Sequence, residues 1–297
     1  MSRGEPPVEG VGIAASLGLP NDQFATAWRA IVLPPDAKQR LARVAATTLR
    51  LRLAGIPFES LPLHGIILLV GLPGTGKTTL ARGLANQIAV AASSLGRFSF
   101  IEVDPHSLMS SAHGRSQKAV EQLLREPIAE SARRSPTIVL LDEVETLAAN
   151  RSALSLDSNP IDVHRAVDAV LTGVDRLARE FPTLLFIATS NVPEIVDAAF
   201  TSRADFVYSF PLPDIDAREK ILRDTVEAVA VAFPDARRVL EDGSVRRAAK
   251  AADGIDGRQL RKLVAVAIAM RKEAKVDPNL MSGSDLVDAV SQRESIQ

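Results

Sequence analysis

Three short stretches of the chain carry groups able to handle a phosphate chain. Gly71-Leu72-Pro73-Gly74-Thr75-Gly76-Lys77-Thr78 fits the pattern G-x-x-x-x-G-K-[ST] and lies between an apolar run, Ile66 to Val70, and a helical pattern starting at Thr78. Glycines let the backbone wrap phosphates with its N–H groups, and the N-terminus of the following helix adds partial positive charge. Lys77 is then expected on the β- and γ-phosphates, and the Thr78 hydroxyl on Mg²⁺. Some sixty residues on, the apolar run Thr137 to Leu141 ends in Asp142-Glu143. Two carboxylates there stand at the C-terminal edge of a strand, where open α/β sheets bind ligands. Asp142 is expected to hold the metal, directly or through water, and Glu143 to polarise the attacking water. Ala188-Thr189-Ser190 closes a further apolar run and delivers Asn191, an amide able to position that water or touch the γ-phosphate. The expected nucleotide set is Gly71, Pro73, Gly74, Thr75, Gly76, Lys77, Thr78, Thr79 and Asp142, with Thr78 and Asp142 as metal ligands.

Composition excludes several other chemistries. The 297 residues are 46% hydrophobic, enough for a core of ordinary size. At about 150 residues per domain, the length suggests two units. With 35 basic against 36 acidic residues the net charge is -1, so the global positive field that drives binding to nucleic-acid backbones is missing. The absence of cysteine removes disulfides, thiolate nucleophiles, iron–sulfur clusters and cysteine–zinc sites. His64, His106, His113 and His164 show no metal-ligand spacing and read as surface or loop residues. The N-terminus has no apolar signal core, and the run Gly65 to Leu72 falls far short of the roughly 20 residues that span a bilayer. A soluble, cytoplasmic protein is expected.

The elements that must position these groups are legible in outline. Five apolar runs, Ile66 to Val70, Phe98 to Val103, Thr137 to Leu141, Leu184 to Thr189 and Phe206 to Phe210, read as strands. Helical patterns lie over about 36–53, 78–93, 117–133 and 161–179, and the alternation implies a parallel sheet covered on both faces. After Pro211 and Pro213 the strand signal stops, and helical patterns follow over 217–233, 244–252, 258–275 and 282–292. The expectation is an α/β fold: a five-stranded parallel sheet sandwiched by helices, then a small helical domain. Residues 1–22 read as a loose arm, 23–213 as the large domain and 214–297 as a helical lid.

A phosphate loop, an acidic pair, a polar residue closing the next strand and a trailing helical domain resemble the AAA+ ATPases. Further stretches are similar to the pachytene-checkpoint family: Phe100-Ile101-Glu102-Val103-Asp104-Pro105-His106-Ser107-Leu108, Asp142-Glu143-Val144-Glu145, Thr189-Ser190-Asn191, Ala199-Phe200-Thr201-Ser202-Arg203-Ala204-Asp205 and Gly257-Arg258-Gln259-Leu260-Arg261-Lys262-Leu263. The similarity covers about residues 24–290. It implies a homohexamer that couples ATP hydrolysis to pulling on the N-terminal tail of a HORMA-domain protein, opening its closed state. Arg203 matches the family's arginine finger, and a guanidinium suits the charge that spreads over a transferring phosphoryl group. Arg258 matches the second sensor, which reports nucleotide state to the lid.

Two departures accompany the match. The family places a Lys-aromatic pair in a pore loop between Leu108 and Lys118, where this chain has Ser110-Ser111-Ala112-His113-Gly114-Arg115. Met109, Ala112 and His113 are the residues left to touch a threaded chain. Only about 23 residues precede the match, too few for the N-terminal adaptor-binding domain of eukaryotic members. The compact form resembles the bacterial branch, which sits beside HORMA proteins and cyclic-oligonucleotide synthases in antiphage (CBASS) signalling, where the remodeller restrains the synthase. Two other readings stay open from the residues: an AAA+ ATPase serving a DNA replication or repair complex, and a nucleotide-gated scaffold, against which Glu143 and Arg203 both speak.

Overall fold

In the computed structural model the expected strands assemble side by side, and a sixth joins them. The structure describes residues 9–109, 116–146, 160–192, 194, 196–270 and 277–292. Strands β1 (Ile13–Leu19), β2 (Ile66–Val70), β3 (Phe98–Val103), β4 (Thr137–Leu141), β5 (Leu184–Ser190) and β6 (Phe206–Ser209) form one sheet in the order β1-β3-β4-β5-β2-β6. Strands β2 to β6 pair in parallel, whereas β1 runs antiparallel to β3, with Leu19 opposite Phe98. Every residue of β2, β4 and β5 is buried, the pattern of strands covered on both faces.

This corrects two expectations. The sheet has six strands and is not wholly parallel, and residues 1–22 are not simply a loose arm, because Ile13–Leu19 is a strand. Its apolar residues alternate with Ala, Ser and Gly inside a Gly- and Pro-rich stretch and only Leu19 is buried, so the strand is fixed by the β3 edge it hydrogen-bonds. The helix α1 (Asp22–Ala30) follows at once, capped by the Asn21 side chain on the Gln23 and Phe24 amides. Phe24 stands edge-on to Phe100 of β3 at 4.9 Å.

The chain divides into two compact units, the first made of residues up to Ile31, Asp36–Gly71 and Lys77–Phe210, the second of Val32–Pro35, Leu72–Gly76 and Pro211 onward. In the first, helices α2 (Pro35–Leu53) and α3 (Lys77–Ala91) precede the short α4 (Pro105–Met109). The helical pattern over 117–133 is interrupted: α5 (Ser116–Leu123) and α6 (Ala129–Arg134) are joined by a π-helical turn, Leu124–Ile128. Pro127 sits inside that turn and has no N–H to give to an α-helical ladder. Helix α7 (Pro160–Glu180) packs Val167, Val170, Leu171, Val174 and Leu177 into the same core as Leu68, Val139 and Phe186 of the sheet. Arg52, at the end of α2, is largely withdrawn from water and donates to the carbonyls of Ala178, Phe181 and Leu184, tying α2 to the end of α7. Burial pushes its pKa down to about 10, partly offset by Asp205, so it stays charged at neutral pH.

The second unit holds α9 (Ile215–Ala232), α10 (Ser244–Ala251), α11 (Gly257–Ala269) and α12 (Gly283–Ser291), while the short α8 (Ala198–Thr201) belongs to the first. Its core is Leu222, Val226, Ala248, Leu260, Val264 and Leu286. The buried Arg218 fastens α9 to α10 through the carbonyls of Pro213 and Ala249 and the carboxylate of Asp253. Among the described residues, no helix is long and apolar enough to cross a membrane.

The α1–α3 contact depends on a missing side chain. A Cβ on Gly83 of α3 would lie 2.9 Å from both Cα and Cβ of Trp28 and 3.0 Å from its backbone nitrogen. Backbone cannot rotate away as a side chain can, so Gly83→Ala is expected to destabilise by about 1–3 kcal/mol, as overpacking does. The measurement is the urea midpoint, with helix content by circular dichroism unchanged.

Candidate active site

Strand order decides which polar groups can meet. β5 lies between β4 and β2, so the C-terminal ends of three buried strands stand side by side and deliver Asp142-Glu143, Asn191 and Gly71 to one edge of the sheet. The Gly71 amide donates to the Ser190 carbonyl at 3.2 Å, which fixes the point where the phosphate loop leaves β2. At φ 153° a Cβ on Gly71 would sit 2.8 Å from that of Phe210, so only glycine fits. Lys77 opens α3, buried, with its ammonium 2.8 Å from the Gly71 carbonyl. Thr78 and Thr79 follow in the same first turn, both partly buried.

The carboxylates are held by hydroxyls. Thr78 Oγ1 donates to Asp142, 2.9 Å from Oδ1 and 3.2 Å from Oδ2. Thr189 Oγ1 donates to Asp142 Oδ1 and accepts from the Glu143 amide at 3.0 Å. Glu143 has φ +53°, and it is the only non-glycine residue with positive φ among those described. That conformation costs on the order of 1–3 kcal/mol and persists where surroundings over-determine it. Here the Thr189 bond and the buried Val144 next in the chain supply the constraint. Asn191 Nδ2 donates to Glu143 Oε1 at 3.0 Å, and the Asn191 amide donates to Glu145 Oε1 at 3.0 Å. His106, exposed on α4, places Nε2 3.2 Å from Glu143 Oε2.

The remaining loop residues group with the second unit. Pro73 is exposed, and Thr75 Oγ1 donates to the Leu72 carbonyl at 2.8 Å. Gly74, at φ +79°, abuts the start of α11: the Arg258 amide donates to its carbonyl at 3.2 Å, and a Cβ at 74 would fall 2.2 Å from Asp256 Oδ1. Asp256 caps α11 by accepting from the Arg258 and Gln259 amides. Arg258 itself is exposed.

Arg203 makes its bonds away from these carboxylates. It pairs with Asp175 of α7, Nε to Oδ1 at 2.6 Å and Nη2 to Oδ2 at 2.8 Å, and Nη1 donates to the Ala199 carbonyl at 2.7 Å. Two residues on, Asp205 accepts from the backbone amides of His64, Gly65 and Ile66, anchoring this segment to the start of β2. Burial raises the Asp205 carboxyl above its usual range, and those amides offset it only in part. Met109 ends α4, whereas Ala112 and His113 lie outside the described residues.

Sequence reading missed Thr189, Glu145, Asp175 and the contacts of His64 and His106. Two adjacent hydroxyls closing an otherwise apolar strand were a usable sign of Thr189; the others pair across 28 to 141 positions and leave no local mark. His64 is not a surface residue, being 13% exposed beside Asp175.

A phosphate loop, the Thr78–Asp142 pair, Glu143 and Asn191 gathered at the ends of adjacent parallel strands form the arrangement of a P-loop ATPase of the AAA type. Residues 67–212 match the model of the ATPase family associated with various cellular activities (AAA). The chain is 47% identical over 286 residues to CD-NTase-associated protein 6 of Pseudomonas aeruginosa, covering 96% of this chain and 93% of that protein. It is 33% identical over 278 residues to the pachytene checkpoint protein 2 homolog of Arabidopsis thaliana, covering 82% of this chain and 59% of that longer one. In fold it is similar to a chain of the Escherichia coli MS115-1 HORMA:CdnC:Trip13 complex, with TM-score 0.74, 17% identity and 95% of each chain covered. The protein belongs to the AAA+ ATPases of the pachytene-checkpoint type, in the bacterial branch that includes CD-NTase-associated protein 6.

The Thr189 hydroxyl serves both carboxylate residues at once, and valine keeps its shape without the bonds. Thr189→Val is expected to lower ATP turnover about tenfold or more, since hydrogen bonds to charged groups are worth about 1.5–3 kcal/mol. Nucleotide affinity should stay within about twofold of wild type, since the phosphate loop makes no bond to this hydroxyl. Steady-state phosphate release with a parallel fluorescent-nucleotide titration checks both.

Proposed function

We propose that the protein is an ATP-driven remodeller that opens closed HORMA-domain proteins, disassembles their complexes and so restrains a cyclic-oligonucleotide synthase in bacterial antiphage signalling. The observation that carries the hydrolytic half is Glu143, held by Asn191 in a strained backbone conformation beside the Thr78–Asp142 pair. The client half is supported by the extensive match to a relative whose name associates it with a CD-NTase, and by the fold shared with a chain of a HORMA:CdnC:Trip13 complex.

The residues divide the work as follows. Gly71 to Thr79 present backbone amides and the Lys77 ammonium to the phosphates of ATP. Thr78 and Asp142 already share a hydrogen bond and offer only hard oxygen donors, the set that suits Mg²⁺. When bound there, Mg²⁺ would neutralise phosphate charge. Glu143 accepts a proton from the attacking water while Asn191 keeps its carboxylate turned to the site. Arg203 acts on the nucleotide of a neighbouring copy, which makes hydrolysis depend on a hexameric ring. Arg258, at the start of α11 where its amide meets Gly74, reports nucleotide state to the helical unit, residues 214–297, acting as a lid. Met109, Ala112 and His113 touch the client's N-terminal tail. The protein works in the cytoplasm and needs no direct contact with nucleic acid.

Glu143→Gln should lower turnover by on the order of 100-fold or more while nucleotide and HORMA binding persist, as expected for loss of a general base. The decisive assay combines this variant with turnover of the wild-type chain, with and without a HORMA protein encoded beside its gene. Stimulation by that protein, together with its release from the synthase, is the expected outcome. Stimulation by DNA that fades with added salt would assign the ATPase to a replication or repair complex.

A further inference from the structure

The Arg203 guanidinium is immobilised inside its own protomer. It has five N–H bonds; Asp175 takes two of them and the Ala199 carbonyl a third. The side chain nevertheless remains 24% exposed, so the grip does not bury the charge. A groove of about 560 Å³ lined by Thr172, Asp175, Arg176, Arg179 and Glu180 opens along the same stretch of α7.

Asp175 is in turn held by His64, whose Nε2 lies 3.2 Å from Oδ1. Burial acts to raise the Asp175 carboxyl, but its bonds to Arg203 and the charges of Arg203 and Arg179 outweigh this and keep it below the usual range. His64 is fixed from several sides. Its amide donates to Asp205 at 2.9 Å, and its ring meets Phe58 edge-on at 5.0 Å. Arg203-Ala204-Asp205 therefore closes a loop of contacts, with Arg203 on Asp175, Asp175 on His64 and His64 on Asp205.

We propose that Asp175 and His64 are positioning residues for Arg203: Asp175 sets the guanidinium with its two remaining N–H bonds available to a second copy, and His64 holds Asp175 in the rotamer that does so. The proposal rests on the reading of Arg203 as a finger that acts in trans. An arginine loses much rotamer freedom when it is ordered at a contact. A side chain already ordered by a bidentate carboxylate brings that loss forward to folding, so the encounter with a neighbour's phosphates starts from the working geometry.

The test uses the full chain and measures ATP turnover against protein concentration, with nucleotide affinity and thermal melting alongside. Asp175→Ala is expected to lower kcat on the order of 10- to 100-fold, the scale of a misplaced catalytic group, at unchanged KM. Adding Asp175→Ala to Arg203→Ala should cost nothing further. His64→Ala should lose part of the rate, and His64→Gln, whose amide can still donate to Asp175, should restore most of it. A mixing assay reads the effect in trans. Chains carrying Lys77→Ala should rescue turnover of Arg203→Ala chains, and should stop doing so once they also carry Asp175→Ala. An Asp175→Ala chain that turns over as fast as wild type, or faster, overturns the proposal and makes the pair a bystander or a brake. Should that variant melt early, unchanged turnover in His64→Ala overturns it instead. Arg203→Ala with full turnover and no rescue on mixing sinks the finger reading itself, a result distinct from the other two.

Discussion

A single hydroxyl, that of Thr189, connects the two carboxylate residues on which the candidate chemistry depends. It donates its hydrogen to Asp142 Oδ1 and accepts the Glu143 N–H, so it sets the Asp142 carboxylate and the Glu143 backbone together. This works only because β5 lies between β4 and β2. A different strand order would leave Asp142 at the end of a fully apolar strand with one hydroxyl in place of two, and a poorly paired carboxylate there is costly. The positive φ of Glu143 follows from the same constraint, since the chain must turn sharply after Asp142 to bring the next amide back to Thr189.

Legibility in the sequence tracked how local each interaction was. The five parallel strands were readable because each is a short, mostly apolar run bounded by turn residues, and the phosphate loop because its glycines serve their own backbone. Asp142-Glu143 and Asn191 were readable as polar residues ending such runs. Strand β1 was not, because its short alternation of Ile13, Leu17 and Leu19 is diluted by Ala, Ser and Gly in a loop-like stretch, and an edge strand depends on its partner. Asp175 was not legible for a related reason: on α7 it is one polar residue among several, and its partner Arg203 lies 28 positions away. The Leu72–Gly76 tip was recognised as part of the phosphate loop, but its attachment to the start of α11, through Gly74 and Arg258, is set by folding of the helical unit.

The far end of β2 shows the complementary problem of placing charge where water is only partly available. Asp205 lies there with its carboxylate on three backbone amides, and the buried Arg52 spends its donors on carbonyls at the end of α7. Each charge is thus met mainly by backbone dipoles, with the other charge as a secondary influence. Such an arrangement ties the loop before β2, the end of α2 and the end of α7 to one another. It thereby fixes the platform from which His64 and Asp175 reach Arg203.

Charge balance bears on the proposed role of Arg203. At the sheet edge the chain supplies Lys77 against Asp142 and Glu143, and a triphosphate brings several further negative charges. Arg82 lies close enough for Asp142 to raise its pKa, but its own bonds are the larger cause: Nε and Nη2 go to Glu102 at 3.0 and 2.6 Å. Moving it toward phosphate would leave Glu102, whose side chain is only 12% exposed, without its cation. That exchange is unfavourable in a low-dielectric setting. Arg203 is held by Asp175 away from the protomer's own carboxylates, so it cannot serve there without breaking a bidentate pair. The same contacts leave it partly exposed and oriented, the condition that the proposed service to a second copy needs. On the proposed reading of Arg203, hydrolysis would depend on assembly because the protomer's other positive charges are already committed.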